Sequence, residues 1–144
     1  MDVHTKEQRS RNMQAIKNKN TKIESILSKA LWHKGFRFRK NNSKIFGKPD
    51  LSLKKYKIAI FCDSEFFHGK DWATEKHRIK SNIEFWHKKI ESNISRDEIV
   101  NNTLSNSGWI VVRFWGEEIH HSLTNCVNKI EKLVEKQKNQ HGLL

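Results

Sequence analysis

The stretch Gly47-Lys48-Pro49-Asp50-Leu51-Ser52-Leu53-Lys54-Lys55-Tyr56-Lys57-Ile58-Ala59-Ile60-Phe61-Cys62-Asp63 decides the fold class. Gly47-Lys48-Pro49 breaks the chain, and Asp50 to Leu53 resumes it as a strand. Lys54-Lys55 reads as a tight turn into a second strand, Tyr56 to Asp63, whose apolar run Ile58-Ala59-Ile60-Phe61 suits the centre of a sheet. Paired as a hairpin, these strands bring Asp50 and Asp63 side by side at one end of the sheet. Two carboxylates so placed form a hard oxygen site suited to Mg²⁺, which takes one or two protein carboxylates together with water and phosphate. Spacing alone leaves a plainer alternative open, two acids capping strand ends.

Working outward, Thr21-Lys22-Ile23-Glu24 has capping-box spacing, and Ile23, Ile26, Leu27, Ala30 and Leu31 follow at helical intervals. The spacing predicts a helix from about Thr21 to Lys34, stopped by Gly35. Phe36 and Phe38 alternate with Arg37 and Arg39 as a short strand. Ser64 to Trp72 mixes aromatics and charges without period and reads as a loop. Helices are expected near 76–92 and 96–107, with Gly108 as the stop, then a strand from Trp109 to Trp115 and a last amphipathic helix after Ser122. The order predicts an α/β fold with a central mixed β-sheet flanked by helices.

A chain of 144 residues fits one compact domain, here 1–144 with a basic N-terminal arm over about 1–20. Lys+Arg outnumber Asp+Glu by 28 to 16, and residues 1–48 hold thirteen of those cations against three acids. Nearly all of the +12 net charge therefore lies in the N-terminal third, which points to a polyanionic partner there rather than to a merely solvated face. No apolar run is long enough to span a bilayer, and the N-terminus lacks the apolar core of a signal peptide. Cys62 and Cys126 are too few for a disulfide framework. Membrane protein, secreted miniprotein and disordered tail are set aside, and a small basic cytoplasmic protein is expected.

Four further features bear on chemistry. His68, five residues beyond Asp63, titrates in the range useful to a general acid or base, although a lone histidine is more often structural. Phe66-Phe67 sits in the expected loop, where adjacent aromatics suit insertion between base pairs. Trp86 joins that pair or packs its own helix, and spacing favours packing. Glu24 has the simple reading of a helix cap.

The chain resembles the very short patch repair (Vsr-type) DNA mismatch endonucleases. Asp2-Val3-His4, Arg9-Ser10-Arg11-Asn12-Met13 and Thr21-x-x-Glu24 carry the likeness at the start. Gly47-Lys48-Pro49-Asp50, Phe61 through Gly69, Phe85-Trp86-x-x-Lys89-Ile90, Asn93 with Arg96-Asp97, and Gly108-Trp109 leading to Phe114-Trp115 continue it in order. The resemblance implies a PD-(D/E)xK-like restriction-endonuclease fold and Mg²⁺-dependent nicking of double-stranded DNA at a T·G mismatch. It implies Asp50 as the principal metal carboxylate, the backbone carbonyl of Cys62 as a second ligand, and Asp63 beside the metal. It also implies His68 as a catalytic histidine, Glu24 as an acid holding water at the metal, Phe66, Phe67 and Trp86 as a wedge, and Asn93 as a mismatch-side contact. A monomer acting at the bacterial nucleoid, with mismatch-repair proteins as partner candidates, follows from the same likeness.

The chain departs from that pattern where relatives hold a structural zinc. Glu65 and Glu117 stand in place of cysteines and Lys70 in place of a histidine, so no structural zinc is expected and a Lys70-centred ionic tether is expected instead. A related nuclease with another target, in restriction or defence, is the alternative enzyme. An inactive DNA-binding module is the alternative from another class, although binding alone needs none of Asp50, Asp63, His68 and Glu24. Replacing Arg9, Arg11, Lys17 and Lys19 with alanine should weaken binding to all DNA sequences and reduce the slope of log affinity against log salt by about 0.9 for each phosphate no longer neutralised. An unchanged slope would show that the basic arm points elsewhere.

Overall fold

The computed structural model describes residues 21–141, so the basic arm with Arg9, Arg11, Lys17 and Lys19 lies outside the described residues. Helix α1, Lys22–His33, starts at Thr21, whose hydroxyl accepts the Glu24 N–H at 3.4 Å. Strand β1 is confined to Arg39–Lys40, shorter and later than the Phe36/Phe38 alternation suggested. Those two phenylalanines instead pack against the core edge ahead of the strand. Strand β2, Leu51–Leu53, is followed by a single 3₁₀ turn over Lys54–Tyr56 and by Lys57 in the left-handed region, and the chain then returns as β3, Ile58–Asp63.

The pairing of β2 with β3 is antiparallel, Leu51 opposite Ile60 and Leu53 opposite Ile58. The expected hairpin is present. Strand β4, Ile110–Trp115, lies parallel to β3 with Asp63 opposite Trp115, and β1 pairs antiparallel with β2. The sheet is therefore mixed, in sequential order β1-β2-β3-β4. A parallel neighbour requires a crossover. Here it runs through a short helix α2, Trp72–Glu75, a 3₁₀ turn at Lys76–Arg78, and the long helix α3, Ile83–Asn106.

Helix α3 corrects the expected pair of helices at 76–92 and 96–107. Residues 93–95 carry no glycine or proline, so nothing interrupts the backbone ladder between the two apolar patches, and one helix of 24 residues results. Its start falls at Ile83 because Asn82 adopts the left-handed conformation just before it. Gly108 lies just beyond its end with φ +88°, as a C-terminal stop requires. A short helix α4, Gly116–His121, and the amphipathic α5, Leu123–His141, complete the order.

Strand alternation sorts the core onto two faces. Leu51, Leu53, Ile58, Ile60, Val112 and Phe114 point to the side covered by α1, α4 and α5, and meet Leu27, Leu31, Ile119, Ile130 and Val134 there. Ala59 and Phe61 point the other way and meet Val100 and Leu104 of α3. Among the described residues this second cluster is the smaller of the two, with four buried members. Among the described residues no helix is long and apolar enough to cross a membrane.

The loop after β3 depends on one close approach to α3. Gly69 has φ +65°, and a Cβ there would run into Ile94 and come within 3.0 Å of Ile90. Gly69→Ala should destabilise the protein by about 1–3 kcal/mol, since both backbone strain and overpacking act at that position. Urea unfolding measures this, and a change below ~0.5 kcal/mol would show that the loop lifts off α3 without cost to the fold.

Candidate active site

The hairpin register sets the geometry. Asp50 precedes the first residue of β2 and faces the last residues of β3, where its Oδ2 accepts the Cys62 backbone N–H at 2.7 Å. That bond aims the carboxylate across the sheet end, close enough to feel the charges of Glu24 and Asp63. Burial, followed by those two neighbouring acids, pushes the Asp50 carboxyl up to about 6 although the Cys62 N–H pulls it down. Glu24 is almost wholly buried, at 1% exposure, and its Oε1 accepts a hydrogen bond from Asn41 Nδ2 at 3.0 Å. Thr21 caps α1, but the Glu24 carboxylate is turned into the site, so the simple cap reading covers only half of the motif.

Asp63, at the end of β3, is buried and held by Arg113 from the adjacent strand. Arg113 Nη1 reaches both carboxylate oxygens, at 3.2 and 3.1 Å, while its Nε donates to Asn101 Oδ1 at 2.7 Å. His68 lies next to this pair: its Nδ1 is 2.7 Å from Asp97 Oδ2 and its Nε2 is 3.7 Å from Asp63 Oδ1. A carboxylate can only accept, so Asp97 takes the Nδ1–H, and Nε2 faces the Asp63 side, with a lone pair in the neutral ring and an N–H in the imidazolium. Burial lowers the basicity of His68, but the Asp97 hydrogen bond and the charges of Asp63 and Asp97 outweigh it, and the net shift is upward. Burial also raises Asp63, against the opposing pull of His68 and Arg113. The Cys62 thiol is pushed far up by burial and by nearby carboxylates, which leaves it a neutral thiol and its peptide group the polar contribution of that residue.

The residues fit a divalent cation. Asp63, His68 and Asp97 present potential ligand atoms within 4.8 Å of one another. Arg113 and the His68–Asp97 pair already balance charge there. The unmet demand is at Asp50, a buried carboxylate crowded by two more acids with its pKa raised in consequence. A cation between such groups relieves that crowding, and backbone carbonyl with carboxylate is a hard oxygen donor set.

Beside this cluster the post-β3 loop carries an aromatic trio. Phe66 and Phe67 meet edge-to-face at 5.2 Å, and Trp86 of α3 lies 5.3 Å from Phe66 and 6.1 Å from Phe67. Phe66 remains 47% exposed. Asn93, expected beside the mismatch, donates through Nδ2 to the Phe67 carbonyl at 2.9 Å and so ties the aromatic loop to α3. At the other end of the loop, Glu65 Oε2 accepts the Glu117 N–H at 2.8 Å, and Lys70 Nζ lies 3.8 Å from Glu117 Oε2. The tether thus runs from Glu65 to the peptide that opens α4, with Lys70 completing it on Glu117 alone.

Sequence reasoning gave no role to Arg113, Asn101, Asn41 or Asp97. Arg113 was signalled by its position, a lone cation at a period-2 site inside Ile110-Val111-Val112-Arg113-Phe114-Trp115, because a buried guanidinium demands a carboxylate partner. The asparagines carry no such signal.

A four-stranded mixed sheet whose end gathers Asp50, Asp63, Glu24 and His68 defines a restriction-endonuclease-like DNA endonuclease. The chain belongs to the DNA mismatch endonuclease Vsr family, whose model matches residues 1–74. It is 56% identical over 135 residues to the type II nicking enzyme V.HpaIIP of Haemophilus parainfluenzae, covering 93% of this chain and 96% of that one. It is 52% identical over 134 residues to the type II nicking enzyme V.NmeDIP of Neisseria meningitidis serogroup C, covering 93% and 90%. With the DNA mismatch endonuclease Vsr of Escherichia coli it shares 35% identity over 114 residues, 79% of this chain and 72% of that one.

The strain at Asp50 has a measurable sign. A carboxyl raised from 3.8 to about 6 in the folded state stabilises the protein below the lower value, and that contribution is lost as pH rises through the higher one. Without added metal, Asp50→Asn should therefore gain up to about 3 kcal/mol of unfolding free energy at pH 8, and the gain should vanish near pH 3.8. Denaturant unfolding in chelator at the two pH values measures it, and equal stability at pH 8 would remove the electrostatic account of Asp50.

Proposed function

We propose that the protein is a Mg²⁺-dependent endonuclease that nicks one strand of double-stranded DNA at or near a T·G mismatch, as a cytoplasmic monomer acting through one nuclease domain. The observation that carries this reading is the adjacency of two things: a cation-demanding carboxylate cluster and an exposed aromatic trio on the loop that leaves it. The mismatch in the name of the Escherichia coli relative supports the substrate, and nicking in the names of the others supports single-strand cleavage.

Asp50, the Cys62 carbonyl and Asp63 would hold the metal, with Glu24 orienting water on the same side. When bound, a divalent cation supplies positive charge to the scissile phosphate and acidifies water. His68 takes the proton of the attacking water at Nε2, and Asp97 stabilises the resulting imidazolium through Nδ1–H. Arg113 holds Asp63 in place through both carboxylate oxygens and pulls its carboxyl down against the effect of burial. Phe66, Phe67 and Trp86 enter the duplex beside the mispair, where stacking is already weakened, and offset the unstacking of a few kcal/mol. Asn93 keeps that wedge in register with the site through the Phe67 carbonyl.

A restriction or defence nuclease with another target remains the competing reading, favoured by the type II designation of the relatives. Paired duplexes that differ only in T·G against T·A separate the two. Wild-type protein with Mg²⁺ should nick the mismatched duplex at least ~100-fold faster, and equal rates would favour the competitor. Phe66→Ala with Phe67→Ala should lower mismatch nicking about tenfold or more while leaving binding to matched DNA nearly unchanged. Normal cutting by that variant would return both rings to a packing role.

A further inference from the structure

A second concave site lies on the same sheet face as the catalytic cluster, towards the opposite end of α3. It is a cavity of about 750 Å³ between the 37–46 segment and the last turns of α3. Thr103 and Ser107 of its wall lie six and ten residues beyond Asp97, about 9 to 15 Å in the direction of α3, while Ser52 of its wall is two residues from Asp50, so the cavity adjoins the cluster along β2 and extends away from it. Arg37, Arg39, Lys44, Lys54 and Lys55 line it, and no carboxylate among the described residues does. A cluster of this kind with no counter-charge in its wall is a place for an anionic ligand.

Two observations narrow the ligand. Phe46 lines the cavity with half of its surface open, 52%, although a large apolar side chain is ordinarily buried. Trp109 and Phe38 also contribute to the wall. Ser52, from the centre of β2, lines it as well, is only 2% exposed, and its Oγ has no hydrogen-bond partner among the described residues. An unpartnered buried hydroxyl costs about 1–3 kcal/mol, so its persistence beside an open cavity points to a polar group arriving from outside. Cations alone would suit the edge of a duplex. A recessed hydroxyl and an aromatic face suit a base whose own faces are uncovered, and successive bases of a paired duplex cover each other.

We propose that this cavity takes an unpaired nucleotide of a DNA strand, with the base against Phe46, the phosphates among Arg39, Lys44, Lys54 and Lys55, and Ser52 as the recessed polar contact. The reading of the protein as a DNA nuclease supplies the strand as the source of that nucleotide. The site is separate from the Phe66/Phe67/Trp86 trio, which lines none of it. During strand opening at the cleavage site it would hold a displaced nucleotide away from re-pairing.

Fluorescence anisotropy of a labelled ten-residue oligothymidylate with the full chain, in chelator, is the test. The wild type should bind it, and Phe46→Ala should bind about tenfold more weakly. Lys54→Ala with Lys55→Ala should reduce the salt slope by about 0.7 for each phosphate no longer neutralised. Ser52→Ala separates function from folding: affinity should fall roughly three- to tenfold while resistance to urea stays level or rises, since the variant no longer buries an unpartnered hydroxyl. A matched blunt duplex should lose no affinity with Phe46→Ala. Unchanged oligothymidylate binding by Phe46→Ala and Ser52→Ala would overturn the proposal. Competition by free thymidine monophosphate as strong as that by unlabelled oligothymidylate would overturn the strand as the source. Nicking of the T·G duplex, measured in parallel with Mg²⁺, reports on the enzymatic reading by itself.

Discussion

The hydrogen bond from the Cys62 peptide to Asp50 is the constraint on which the site depends. It exists because β2 and β3 are antiparallel with Leu51 opposite Ile60, a register that leaves Asp50 level with the end of β3. A shift of one residue would turn the carboxylate to the α1 side and put leucines over the catalytic face. The buried row Leu51, Leu53, Ile58 and Ile60 prevents that shift, because each would leave the core at once. Stability of the hydrophobic layer and placement of a charged group are thus one property of the same short hairpin.

The charge arrangement follows from that placement. Three acids are drawn to one sheet end, and among the described residues each meets a different polar group: Arg113 at Asp63, Asn41 at Glu24, and the Cys62 peptide N–H at Asp50. At Asp50 burial and the neighbouring acids outweigh that N–H, and the carboxyl rises to about 6. Strain of this kind is expected where a fold keeps a group for binding rather than for stability.

Much of this is legible in the chain itself. The hairpin, the approach of Asp50 to Asp63 and the aromatic loop come from Gly-x-Pro punctuation, apolar runs and the breakdown of periodicity after Asp63. What is illegible is mostly tertiary. The merging of two expected helices into α3 turns on the absence of a breaker, a weaker signal than its presence. Asn41 and Asn101 act through single hydrogen bonds across 17 and 12 residues, and no local pattern marks an asparagine for such work. Asp97 is visible as part of a family-like string, but only the fold shows that it meets His68, 29 residues away.

The fastening of the aromatic loop carries a consequence for how the protein meets its surroundings. Glu65, Glu117 and Lys70 join that loop to the start of α4 through one amide hydrogen bond and one partly exposed ion pair. Contacts of this kind do not respond to thiol oxidation or to the supply of a trace metal, but they weaken as ionic strength rises. The same ions that compete for DNA phosphates therefore also loosen the loop that carries Phe66 and Phe67. Attraction for DNA and the fastening of that loop weaken together in salt, so ionic composition acts on this nuclease twice.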